Sequence, residues 1–88
     1  MDFYKVKWKR SAQKELKGLD KKTILKVLES VEGLAKNPYP LGSKKLKGAE
    51  SIYRIRLGDY RVIYSVESNI LTVGIIKIGH RRDIYRSF

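Results

Sequence analysis

Residues 52–66 read IYRIRLGDYRVIYSV, and their alternation decides what kind of fold the chain adopts. Two runs rich in β-branched and aromatic residues, 52–57 and 60–66, flank Gly58-Asp59. Glycine at the first central position suits a type II′ turn, whose twist matches antiparallel strands. A turn at 58–59 sets Leu57 opposite Tyr60, Ile55 opposite Val62 and Tyr53 opposite Tyr64. Side chains alternate along a strand, so these apolar residues share one face, the core face. The other parity collects Arg54, Arg56 and Arg61, with Arg56 directly opposite Arg61. Like charges in that position are destabilising, so a sheet built only for stability gains nothing from them. A phosphate or a developing oxyanion lying between them reverses the sign of the interaction. Any one strand arginine is ordinarily solvent-facing or paired with a carboxylate such as Glu50, Asp59 or Glu67. Three on one face point to an anion site.

Working outward, residues 70–78 (ILTVGIIKI) form a third run after the short Ser68-Asn69 connection, completing an antiparallel meander. This strand is expected to add Thr72, Gly74 and Ile76 to the arginine face, with Gly74 leaving space beside Ile63. Gly79 then ends any parity argument. The tail beyond it (HRRDIYR, 80–86) holds Arg81, Arg82 and Arg86, the single histidine His80, and Tyr85. Histidine moves protons near neutral pH, and a tyrosine ring stacks on a base or passes a proton. Each also has an ordinary reading, His80 as a surface residue and Tyr85 as a side chain pinning the tail to the sheet.

Upstream, FYKVKWK at 3–9 alternates Tyr4, Val6 and Trp8 against Lys5, Lys7 and Lys9, a half-buried strand. Ser11 is a candidate cap for a short helix carrying Ala12, Leu16 and Leu19. Asp20 is a candidate cap for a second, Lys21 to Lys36, with Ile24, Val27, Leu28, Val31, Leu34 and Ala35 on one stripe. Gly33 weakens that helix by about 1 kcal/mol without breaking the pattern. Asn37-Pro38-Tyr39-Pro40-Leu41-Gly42 ends it. The expected fold is therefore α+β. It has a small, mainly antiparallel sheet, the N-terminal strand plus a C-terminal three-stranded meander, with two N-terminal helices on one face. The other face stays open.

All 88 residues read as a single domain without repeats or linkers. Twenty Lys and Arg against nine Asp and Glu give +11, while 42% hydrophobic residues exclude a disordered basic tail. Such an excess on a domain with its own core points to nucleic acid, whose phosphates reward cations through counterion release. No cysteine is present, which excludes disulfide scaffolds, thiolate metal sites and cysteine nucleophiles. The apolar run 70–76 is far short of the roughly 20 residues that span a bilayer. Asp2, Lys5, Lys7, Lys9 and Arg10 leave no room for a signal-peptide core. The expectation is a cytoplasmic protein with no membrane partner.

Three stretches carry a family resemblance: Lys45-Leu46-Lys47-Gly48; Tyr53 through Tyr64; and Ile78-Gly79-His80-Arg81-Arg82-Asp83-Ile84-Tyr85. With the two-helix first half, they resemble the RelE branch of the RelE/ParE toxin superfamily over essentially the whole chain. The resemblance implies the toxin of a type II toxin–antitoxin pair, an endoribonuclease that cuts messenger RNA in the ribosomal A site. It implies no metal and no cofactor. The 2′-hydroxyl attacks the adjacent phosphate, leaving a cyclic phosphate and a 5′-hydroxyl. The positions it implies for catalysis are Arg54, Arg56, Arg61, Arg81 and Tyr85. Basic groups hold the phosphate, Arg81 assists the leaving oxygen, and Tyr85 orients or stacks on the nucleotide. Well-known members carry lysines where Arg54 and Arg56 stand, and arginine is a poor general base. His80 and Tyr85 are left for that role, unless the site works by electrostatic strain and orientation. Lys5, Lys7, Lys9, Lys44, Lys45 and Lys47, with Arg82 and Arg86, would hold RNA backbone. The implied partners are the ribosome with its messenger and ribosomal RNA, and a cognate RelB-like antitoxin, the pair assembling as a hetero-oligomer on operator DNA. Two alternatives stand beside this reading: a ParE-like, non-enzymatic gyrase poison, and an RNA-binding domain without activity.

Overall fold

The computed structural model describes residues 3–46, 48 and 50–84. In chain order the elements are β1 (Lys5–Trp8), α1 (Arg10–Lys17), α2 (Lys21–Lys36), β2 (Lys44–Lys45), β3 (Ile52–Leu57), β4 (Tyr60–Glu67) and β5 (Thr72–His80). They build a five-stranded sheet in the order β1-β5-β4-β3-β2. All pairings are antiparallel except β1 with β5, which is parallel, and both helices lie in the connection between β1 and the meander. The α+β class is as the sequence implies, with one more strand. β2 consists of two lysines whose backbone pairs with Tyr53 and Arg54. A two-residue charged strand has no hydrophobic alternation, so only the pairing itself defines it.

The β3–β4 hairpin has the register that its turn dictates: Leu57 faces Tyr60, Arg56 faces Arg61 and Tyr53 faces Tyr64. Gly58 takes φ 62°, the left-handed conformation that the first central position of a type II′ turn requires. The next connection is longer than the sequence suggests. Ser68–Ile70 form a 3₁₀ turn, Leu71 is left-handed at φ 47°, and β5 begins at Thr72. Within β5 a bulge changes the parity: Ile63 pairs with Lys77, whereas Tyr64 pairs with Ile75. Ile76 is the extra residue, and Ile78 returns to the core, 2% exposed.

The helices cover one face. Ala12 of α1 and Val27, Val31 and Leu34 of α2 pack with Ile55, Val62, Tyr64, Val66, Val73, Ile75 and Ile78. Each Val, Leu or Ile side chain so buried contributes about 1.5–3 kcal/mol of transfer free energy. α2 starts as expected, with the Asp20 carboxylate accepting from the Thr23 amide at 3.3 Å. Ser11 does not cap α1; Lys9 occupies that position, with no side-chain cap. The reason is tertiary. The Lys9 amide is still bonded to the Ile75 carbonyl of β5 (3.0 Å), so the helix begins where strand pairing stops. Beyond the end of β1, the Ile78 amide of β5 donates to the Glu15 carboxylate of α1 at 3.0 Å. A backbone donor that would otherwise face the helix layer unpaired is thereby satisfied. Tyr64 donates its hydroxyl to the Pro38 carbonyl at 2.8 Å, tying the segment after α2 to the sheet, and burial pushes its pKa up to about 12.

Candidate active site

The uncovered face can be read as rows across the strands. One row runs Lys44, Arg54, Ile63, Lys77, from β2 to β5. The next holds Arg56, Arg61 and Gly79. Away from these, Ser65, Gly74 and Lys7 form a third row, and Glu67, Thr72 and Lys5 a fourth. The parity argument for Arg54, Arg56 and Arg61 holds because the bulge lies in the neighbouring pair, β4–β5, and not in their hairpin.

The three arginines differ in setting. Arg54 is 8% exposed, and its Nε is buried with no hydrogen-bond partner among the described residues. A buried donor without a partner costs free energy, and an anion bound beside it removes that cost. With Lys44 and Arg56, Arg54 lines an open cleft of about 420 Å³ that Leu41, Gly42, Ser43 and Ile55 also line. Arg56 is exposed, and faces Arg61 with no side chain between them. Arg61 is half-buried, its Nη1 donating to the carbonyls of Gly58 and Tyr60, both at 3.3 Å. These are long bonds to neutral acceptors, which hold the guanidinium at the turn without neutralising it.

The same turn anchors the tail. The Arg81 amide donates to the Asp59 carbonyl at 2.7 Å, and its Nε lies 4.0 Å from the Asp59 carboxylate. Both side chains are more than half exposed (61% and 70%), so this ion pair is weak. Arg61 and Arg81 are thus both held at the Gly58-Asp59 turn. A helical turn follows, with the amides of Asp83 and Ile84 bonded to the His80 carbonyl at 2.9 and 3.0 Å. It folds Ile84 over Gly79, where an added Cβ would lie only 3.2 Å from the Ile84 Cδ1. Ile84 and Ile63 are fully buried yet stand apart from the helix-side core, which places a small apolar floor on the arginine face.

His80 is not brought to that face. It pairs with Tyr60, its ring edge-on to the tyrosine at 5.7 Å and its Nδ1 accepting from the Arg82 amide at 3.2 Å. Arg82 itself is exposed on the turn. Lys5, Lys7, Lys9, Lys44 and Lys45 are all exposed. Lys5 and Lys7 share the arginine face but lie rows away, Lys9 stands at the start of α1, and Lys45 takes the opposite parity from Lys44. Tyr85, Lys47 and Arg86 lie outside the described residues.

One cation on the face was not anticipated. Lys77 reaches the position opposite Ile63 only because of the bulge at Ile76. A signal for it exists in the sequence. Strict alternation through Ile75-Ile76-Lys77-Ile78 would bury the lysine and expose the isoleucines beside it, so one extra residue had to break the pattern.

The model of the ParE toxin of type II toxin–antitoxin systems (parDE) matches residues 6–85. Toxin RelE3 of Methanocaldococcus jannaschii is 34% identical, the match covering 96% of this chain and 98% of that toxin. The chain belongs to the RelE branch of the RelE/ParE superfamily. Toxin RelE of Mycobacterium tuberculosis is likewise 34% identical, over 94% of this chain and 87% of its own. The archaeal RelE–RelB complex of Pyrococcus horikoshii OT3 contains a chain that superposes with a TM-score of 0.81 at 37% identity, covering 90% of this chain and 96% of that one. The two helices and the five-stranded, mostly antiparallel sheet match RelE structures. Among the described residues no helix is long and apolar enough to cross a membrane.

Proposed function

We propose that this RelE-family chain is the toxin of a type II toxin–antitoxin pair and acts as a ribosome-dependent endoribonuclease in the A site. The observation that carries the reading is the meeting of Arg56, Arg61 and Arg81 around the Gly58-Asp59 turn, beside the buried Arg54. In the proposed reaction the messenger's 2′-oxygen attacks the adjacent phosphorus, and the bond from phosphorus to the 5′-oxygen breaks. Charge accumulates on the non-bridging oxygens, where Arg56 and Arg61 stabilise it. Arg54 and Lys44 hold the flanking phosphate in their cleft, and Arg81 lies toward the leaving oxygen. Tyr85 is assigned the stacking role. The exposed lysines supply affinity for ribosomal RNA backbone, which positions without specifying. An acidic or amphipathic antitoxin complements a chain of net charge +11, and the pair is proposed to bind operator DNA together.

A second reading, a gyrase poison without nuclease activity, is favoured by the ParE description of the matching family. Primer extension on message from translating ribosomes separates the two. Cuts at the A-site codon support the nuclease; intact message with gyrase stalled on DNA supports the poison.

A further inference from the structure

We propose that Lys77 is the proton donor of this site, the group that protonates the departing 5′-oxygen; this rests on the nuclease reading. The need for such a group follows from the composition of the face. Arg54, Arg56, Arg61 and Arg81 stabilise charge, but a guanidinium does not give up its proton under ordinary conditions, and Lys44 stands on the edge strand, two strands away from Arg61. His80 packs on Tyr60, on the other side of the sheet. A lysine ammonium carries three donors on a flexible stem and does transfer protons.

Its position follows from the register. Ile63 pairs with Lys77 and Arg61 with Gly79, so Lys77 is the diagonal neighbour of Arg61 on the adjacent strand. Such neighbours lie about 7–8 Å apart at the backbone, within reach of one bound phosphate from two long side chains. Arg54 lies in the same row two strands away, about 10 Å off at the usual strand spacing. Between Lys77 and the turn that carries Arg81 lies Gly79, with Ile84 folded over it. The bulge brings onto the arginine face a cation that strict alternation would place on the other.

The step balances without a co-reactant. The 2′-oxygen to phosphorus bond forms as the phosphorus to 5′-oxygen bond breaks, and the electron pair leaves with the 5′-oxygen. The Lys77 ammonium gives that oxygen its proton. The 2′-hydroxyl proton is released to water, from which Lys77 is reprotonated.

The test is single-turnover cleavage on programmed ribosomes of a normal message and of one with sulfur replacing the bridging 5′-oxygen at the scissile linkage. A thiolate leaves without protonation. Lys77→Met is expected to slow the normal message about 100-fold, in the range for general acid catalysis, and to cut the sulfur message at close to the wild-type rate. Lys77→Arg, which keeps the charge, is expected not to restore the normal rate. Arg61→Ala is expected to remain slow on both messages, since its role is charge stabilisation. Equal defects of Lys77→Met on both messages, or full rescue by Lys77→Arg, would show an electrostatic or structural role and overturn the proposal. So would wild-type cleavage by Lys77→Met. If the wild-type protein itself leaves message intact, the nuclease reading fails first and takes this proposal with it.

Discussion

The two faces of the sheet come from the same strands, one residue apart, and serve opposite ends. On the helix side Ile55, Val62, Tyr64 and Ile75 are buried within a continuous apolar core. On the other, Arg54, Arg61 and Lys77 surround a small apolar floor, Ile63 and Ile84, with positive charge. One face gains free energy as the chain folds. The other sets Arg56 directly opposite Arg61, a repulsion that an anion between them would turn into attraction. Stability and activity should therefore separate by strand parity, and substitutions on alternate residues test that separation.

The largest expected effect is on the open face. Arg61→Ala or Arg81→Ala should lower A-site cleavage by about 10²–10³-fold, typical of losing one preorganised donor to a developing oxyanion. Melting temperature and ribosome binding should change little, because Arg61's hydrogen bonds are long and Arg81's ion pair is exposed. Primer extension beside thermal melts reads both, and unchanged cleavage in both variants would remove the proposed site. On the covered face the outcome should invert. Ile75→Ala leaves a cavity in the core and should cost about 2–5 kcal/mol in denaturant melts, with cleavage per folded molecule preserved.

Tyr64→Phe is the intermediate case. It leaves the Pro38 carbonyl without its donor and should cost about 1–3 kcal/mol near neutral pH. Its pH signature has a definite sign. The folded pKa is raised from 10.0 to about 12, so the stabilising preference for the protonated form is fully present below pH 10. Between 10 and 12 the unfolded chain ionises first, and stability falls as pH rises. Melts across that window should fall more steeply for the wild-type protein than for Tyr64→Phe. The smallest effect sharpens the comparison most. Arg56→Gln removes the repulsion with Arg61 and should stabilise the free protein by about 0.2–1 kcal/mol while weakening cleavage. A destabilised variant would contradict the view that this face is strained for binding.

Much of this was legible beforehand because hairpin register is a local property. The turn Gly58-Asp59 sets the pairing, the pairing sets the parity, and parity places Arg54, Arg56 and Arg61 together. The Asp20 cap and the α2 stripe are equally local, resting on residues within a few turns of one another. What escaped was non-local. Lys9 starts α1 because β5 holds its amide, and β2 exists because β3 offers an edge. Gly79 hid the path of the tail, which depends on Ile84 finding a buried seat over that glycine. His80 was a candidate base on chemistry alone, and its pairing with Tyr60 points it elsewhere.

The sequence by itself determined the helix pair, the hairpin register, the charge excess and the alternation that divides core from arginines. Each follows from spacing along the chain and from the near neighbours that spacing creates. Only the tertiary structure decided that a bulge turns Lys77 onto the arginine face, that Arg54 is buried, and that Arg81 returns to the Gly58-Asp59 turn. Those depend on strands meeting across the sheet, where one inserted residue reverses the direction of every side chain beyond it.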